Sequence, residues 1–137
     1  MKPQSCRFDA SIPFSDWQTN ARRELTDLLG ITELMNAERC ALAPRSLWKR
    51  NIGPGTVEKI VFQSEPGVEN KLYLCLPHNV TPPYHAFLCL QGHSTGMHTS
   101  IAVDWHDETT PLTIEGDRDF AIGCMKRGIP AVCLEQR

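Results

Sequence analysis

The segment His85-Ala-Phe-Leu-Cys-Leu-Gln-Gly-His-Ser-Thr-Gly-Met97 decides the fold of this chain. Its apolar first half has the length of a strand, and it ends at two glycines, Gly92 and Gly96, that bracket a histidine and a serine. This pattern is typical of a buried strand that delivers a polar loop to one edge of a sheet. We therefore expect the chemistry of the protein to lie in the loop 91–96.

The elements around this segment predict an α/β fold. Residues 56–62 and 71–76 are strand-like runs joined by a proline-glycine turn, and they predict an antiparallel pair. After the loop, residues 119–127 carry apolar side chains at helical spacing, with bases in the last turn, and predict a helix. Residues 129–134 predict a last strand. Strand, helix and strand from His85 to Leu134 form a βαβ unit, which implies parallel pairing.

Residues 1–55 predict a helical arm and a connector ahead of this core. Apolar residues from Trp17 to Leu28 recur at helical spacing, and Gly30 follows as a C-terminal stop. A second, shorter helix is predicted at 32–40. The segment 44–55 contains a Gly-Pro-Gly break and is interpreted as a connector laid over the core. The chain is thus divided into an arm at 1–55 and a core at 56–137.

The composition limits the classes of partner. The 137 residues carry 14 basic and 16 acidic side chains, a net charge of -2, which gives no electrostatic basis for binding nucleic acid or an anionic membrane. The N-terminus has no secretory signal, and no run could span a bilayer. We therefore expect a cytoplasmic protein that acts on small molecules, with its six cysteines as buried thiols.

The densest group of potential metal ligands follows the glycine loop. Its spacing matches neither H-E-x-x-H nor H-x-E, so a solvated polar loop is the preferred interpretation. We predict no metal and no cofactor. The group consists of His93, His98, Asp104, His106, Asp107 and Glu108.

Three segments carry a resemblance to a known family: Leu88-Cys-Leu-Gln-Gly-His93, Lys126-Arg-Gly128 and Cys133-Leu-Glu-Gln-Arg137. With the order of elements, they resemble the N-terminal half of the α/β-hydrolase fold, and within it the dienelactone hydrolase and acetyl xylan esterase group. The likeness covers residues 56–137. In that group the first of these segments is the oxyanion loop, although a His-Gly pair is commoner there than Gln91-Gly92. The last segment matches the group's acid, variable residue and arginine.

The resemblance also bears on the role of Ser94. The loop fits G-x-S-x-G, the pattern of the nucleophilic serine in α/β-hydrolases, but in that fold the motif follows the fifth strand, and Ser94 follows the third. Only His98 and His106 come after it as candidate bases, too close in sequence to converge easily from separate loops. The resemblance therefore implies that Gly92, His93 and Ser94 hold an oxyanion, with Ser94 as nucleophile the less favoured alternative.

These features predict a hydrolase-family protein of the carboxylic ester type, similar to acetyl esterases or dienelactone hydrolases, with a small-molecule ester as substrate. The sequence stops at Arg137, before the position of the nucleophile elbow, so we expect the chain alone to be inactive as an enzyme, with no more than a weak residual effect of its backbone donors. The alternative is a non-catalytic interaction or binding domain that associates through its exposed last strand, including with a second copy of itself.

Overall fold

A computed structural model describes residues 6–136, which fall into two compact units that divide between Arg39 and Cys40. The first unit contains helix α1 (Phe14–Leu28) and helix α2 (Ile31–Asn36). The first predicted helix is confirmed, and it begins after Pro13, whose restricted φ suits the start of a helix. The second ends four residues earlier than predicted, because Ala37 is extended.

The second unit is built on one five-stranded sheet. Its order is β1-β2-β3-β5-β4, in which β4 and β5 are parallel and the other neighbours are antiparallel. The antiparallel pair and the parallel βαβ pairing predicted from the sequence are therefore confirmed. The strands are β1 (Arg45–Ile52), β2 (Gly55–Glu65), β3 (Val68–Pro77), β4 (Phe87–Cys89) and β5 (Ala131–Leu134).

The connector interpretation of residues 44–55 is wrong, because most of this segment is strand β1. Trp48, Arg50 and Ile52 alternate with exposed residues along β1, which is the two-residue period of a half-covered strand. The Gly-Pro-Gly break is the turn of a hairpin to β2, and Gly53 takes a φ of 47° that favours glycine.

The expectation that the last strand is the exposed edge of the sheet is also wrong. Strand β5 lies between β3 and β4, and its residues Ala131 and Cys133 are fully buried. The short strand β4 forms the edge instead. The reason lies in a long-range antiparallel pairing of Leu72–Cys75 with β5, which local sequence patterns do not reveal.

The core of the second unit lies between the sheet and two helices, α3 (Met97–Ser100) and α4 (Phe120–Lys126). No cysteine forms a disulfide within residues 6–136. Hydrogen bonds link the Cys89 thiol to those of Cys133 and Cys124. The bond with Cys133 and burial raise the pKa of Cys89 and outweigh the bond with Cys124, which lowers it, so Cys89 packs as a neutral side chain. No helix within residues 6–136 is long and apolar enough to cross a bilayer.

Candidate functional site

The loop 91–96 and the residues that follow β5 meet at one edge of the sheet. Because β4 and β5 are parallel, their carboxyl ends lie side by side, where ligand sites of open α/β sheets are found. A cavity of about 530 Å³ opens between the two segments. It is lined by Gln91, Gly92, His93, Thr95, Gly96, Met97, Leu134, Glu135 and Gln136.

A tight turn shapes this loop. The carbonyl oxygen of Gly92 accepts hydrogen bonds from the Thr95 hydroxyl at 2.8 Å and from the Thr95 N–H at 3.4 Å. Ser94 therefore occupies the third position of a β-turn, and its φ is 61°. Several turn types require a positive φ at this position. A residue with a side chain adopts this left-handed conformation at a conformational free-energy cost of about 1–2 kcal/mol. The fold holds Ser94 in this conformation.

The turn leaves two successive main-chain donors unpaired. Among the described residues 6–136, the N–H groups of His93 and Ser94 have no hydrogen-bond partner, and both residues are exposed. Successive N–H groups around a left-handed residue form a concavity that favours anions. His93 also lines the cavity. The loop can therefore offer two N–H donors to an anion at the carboxyl end of β4.

Glu135 fixes the far end of the loop. Its carboxylate Oε2 accepts a 2.9 Å hydrogen bond from the buried N–H of Met97, which ties the start of α3 to the end of β5. Gly96 permits this approach, because a Cβ at this position would lie 2.9 Å from Nδ1 of His98 and 3.3 Å from Oε1 of Glu135. Glu135 and Gly96 thus position the loop against β5.

Gln91, which departs from the family pattern, is a structural residue. Its side chain is buried, and its amide nitrogen donates to the Ser100 hydroxyl at 2.6 Å and to the Arg118 carbonyl at 2.9 Å. Its amide oxygen has no partner within residues 6–136. These bonds join the end of β4 to α3 and to the segment before α4. Gln91 therefore holds the start of the loop 91–96 against α3 and the segment before α4.

The structure does not assemble a catalytic triad around Ser94 in the described part of the chain. The Ser94 hydroxyl forms no hydrogen bond with any histidine of residues 6–136. The ring of His106 stacks on Trp105 with their centroids 3.6 Å apart. No three potential metal ligands come together among these residues. Arg137, the third residue of the matching strand end, lies outside the described residues.

Glu108 is the residue whose role the sequence interpretation missed, because a solvated loop was expected there. Its side chain is only 18% exposed and accepts hydrogen bonds from Tyr73 at 2.7 Å, from Trp48 at 3.1 Å and from Lys59. Its main-chain carbonyl accepts a 2.7 Å bond from Arg50. Glu108 therefore fastens the loop 103–111 to strands β1, β2 and β3. The sequence signal for a buried acid was Lys59, because a lysine inside the apolar run of β2 needs an acidic partner if it is buried.

The charge of Glu108 is stabilised in place. Burial alone would raise the pKa of Glu108, but the hydrogen bonds and charge of Lys59, together with the Tyr73 and Trp48 donors, outweigh it and lower the pKa. Burial, and next the Glu108 carboxylate, raise the pKa of Tyr73 far above its ordinary value. Glu108 is thus an ionised anchor and Tyr73 a neutral donor.

Comparison with known proteins identifies the fold. No protein-family model matches the chain, and no curated protein matches it. The chain is similar to a crystal structure of a candidate acetyl xylan esterase from Bacteroides fragilis NCTC 9343, with a TM-score of 0.72 and 17% sequence identity. The match covers 96% of this chain and 33% of that chain, so the chain spans about one third of that protein's length. The likeness shows a shared α/β fold.

Proposed function

We propose that this chain is part of a carboxylic ester hydrolase of the acetyl esterase type, and that its loop 92–94 holds the oxyanion formed during acyl transfer. The observation that carries the proposal is the pair of unpaired N–H groups at His93 and Ser94, beside the cavity at the carboxyl ends of β4 and β5. Main-chain donors in a fixed turn are the usual means of stabilising a tetrahedral intermediate.

The chemical role of the loop follows from the charge of that intermediate. When a nucleophile attacks an ester carbonyl, the carbonyl oxygen gains a full negative charge, and donors already in position stabilise it without reorganising. The Gly92–Thr95 turn and the Glu135–Met97 hydrogen bond hold the loop in place before substrate arrives. The proposal assigns neither the nucleophile nor the base to a described residue, because Ser94 has no histidine partner there.

The substrate class is supported by two further features. The cavity has room for a small ester, and among the described residues that line it the one carboxylate is Glu135, which already accepts a bond from Met97. The similar structure is described as a candidate acetyl xylan esterase, which favours an acetyl ester over a lactone. We propose a small acetyl ester as the substrate.

An activated acetyl ester tests this function. We expect the chain to accelerate hydrolysis weakly above the buffer rate, since an oxyanion site without its triad retains part of the rate enhancement. Ser94→Ala should retain this rate, because the main-chain N–H remains when the hydroxyl is removed. Loss of hydrolysis in Ser94→Ala would make Ser94 the nucleophile instead. A parent rate equal to that of buffer would contradict the proposed function.

A further inference from the structure

The short helix α3 holds both ends of the candidate oxyanion loop. At its first residue, the N–H of Met97 donates to the Glu135 carboxylate at 2.9 Å, which ties the end of the loop to the segment after β5. At its last residue, the hydroxyl of Ser100 accepts a 2.6 Å hydrogen bond from the Gln91 amide, which ties the start of the loop to the same helix. The loop 91–96 is therefore held at both ends by hydrogen bonds to α3.

The direction of the Gln91–Ser100 bond is fixed by a third group. The carbonyl of Arg118 can only accept, so the amide nitrogen of Gln91, 2.9 Å away, must face it. The same nitrogen lies 2.6 Å from the Ser100 oxygen, so Ser100 accepts this bond and keeps its own proton for another partner. That partner is the thiol of Cys133 on β5, to which the hydroxyl donates. Ser100 thus links the start of the loop to strand β5.

Both partners of this bond are enclosed in the core. Ser100 has no exposed surface, and Gln91 is only 7% exposed. Water does not compete for a hydrogen bond in such a place, so the bond holds the amide in one orientation. The Gln91 oxygen has no partner within residues 6–136, and an apolar side chain of similar length would avoid the cost of burying it. The amide is therefore better explained by its two donor bonds than by stability alone.

We propose that Ser100 is a positioning residue of the oxyanion loop, and that it acts through Gln91 on the N–H donors of His93 and Ser94. Because Ser100 has no exposed surface, it does not contact substrate. It fixes Gln91, which directly precedes the Gly92–Thr95 turn, so the two donors keep one orientation before an ester binds. Donors that are already oriented stabilise the intermediate without reorganising. The inference rests on the proposed function of this loop.

Ser100→Ala tests this role, and Thr99→Val is its matched control. Both changes remove one hydroxyl from a buried position of α3, but the Thr99 hydroxyl has no hydrogen-bond partner within residues 6–136. The heteronuclear NOE of the free chain measures the order of the loop. We expect Ser100→Ala to lower this NOE at His93 and Ser94, and to raise the dissociation constant of methylphosphonate, a tetrahedral oxyanion, at these amides by roughly fivefold. Thr99→Val should change neither.

Gln91→Met removes the same bond from its other side. Methionine keeps the length of the side chain but has no amide, so the loop should lose order as it does in Ser100→Ala. Ser100→Ala added to Gln91→Met should have no further effect on the loop, because Ser100 acts through Gln91. Circular dichroism checks that each variant is folded. Additive effects of the two changes would show that Ser100 acts by another route and would overturn the proposal.

The outcomes separate this inference from the proposed function. A parent chain that does not bind methylphosphonate contradicts the proposed function, and the order of the free loop then decides alone whether Ser100 positions it. Loss of loop order and of anion affinity in Ser100→Ala, beyond any change in Thr99→Val, supports the proposal. It is overturned if Ser100→Ala leaves the loop order at the level of Thr99→Val or, in a parent that binds the anion, leaves the affinity at that level.

Discussion

Replacement of Glu108 by alanine is expected to lower the free energy of unfolding by about 3 kcal/mol. The change leaves Lys59, only 13% exposed, without its acid, and removes the acceptor of the Tyr73 hydroxyl and the Trp48 indole. Breaking a buried ion pair from one side costs far more than the pair contributes, because the remaining charge stays desolvated. Urea unfolding of parent and variant measures this difference.

Glu69→Ala is the matched control. Glu69 also accepts a bond from a base, Arg45 at 2.9 Å, but both side chains are more than half exposed. Exposed ion pairs contribute little, so we expect a change within about 0.5 kcal/mol. If Glu108→Ala were no more destabilising than Glu69→Ala, the anchoring role of Glu108 would be wrong.

The same residue predicts a pH dependence. The folded-state pKa of Glu108 lies below its ordinary value of 4.5, so its contribution to stability is fully present above that value. The contribution is lost as the pH falls through the lower folded-state pKa. We therefore expect the parent to lose more stability than Glu108→Ala between neutral pH and pH values below 4.5. Other acids titrate in both proteins and cancel in the difference.

Ser94→Pro is expected to abolish the weak ester hydrolysis, with a fall of roughly tenfold or more to the buffer rate. Proline has no N–H, and its φ near -65° cannot match the 61° of Ser94, so the change removes one donor and distorts the turn that holds the other. Initial rates with the activated acetyl ester measure this effect.

Ser94→Gly is the matched variant for this position. Glycine adopts the same positive φ without strain and keeps its N–H, so hydrolysis should persist. Thermal unfolding checks that Ser94→Pro remains folded; the exposed loop makes a small shift the expected result. Hydrolysis that survives in Ser94→Pro at the parent rate would exclude the loop N–H groups as oxyanion donors.

The sequence predicted those parts of the fold that depend on local patterns. Strands β2 and β3 and helix α4 were found because their apolar spacing and turn residues are local signals. Strand β1 was missed, because charged residues interrupt its alternation and a Gly-Pro-Gly break follows it. The alternation of buried and exposed residues along β1 becomes clear only from the tertiary packing. In that packing Trp48 contacts Tyr73 of β3, with ring centroids 5.4 Å apart.

The position of β5 and the role of Glu108 depend on contacts that are distant in sequence. The pairing of β5 with β3 joins residues about sixty positions apart, and no periodicity encodes it. Glu108 lies in a polar, threonine-containing segment, and its partners come from three strands. Local composition predicts exposure for such a residue. Burial of its carboxylate follows only from the closure of the loop 103–111, where Val103 pairs with Pro111.

The position of the glycine loop at the end of a strand was predicted, but the geometry of the loop was not. Two glycines around a histidine and a serine located the loop at the end of β4, and the resemblance gave the loop its proposed role. The hydrogen bond from Met97 to Glu135 joins segments 38 residues apart and required the structure. The unpaired N–H groups of His93 and Ser94 likewise depend on the geometry of the turn.

The binding of an anion at these N–H groups tests the central claim most directly. Amide proton and nitrogen shifts of the parent chain can be followed while methylphosphonate, a tetrahedral oxyanion, is added. We predict saturable shifts that are largest at His93 and Ser94 and that are lost in Ser94→Pro. Shifts confined to lysine and arginine side chains, or no shift at these two amides, would contradict an oxyanion-binding loop.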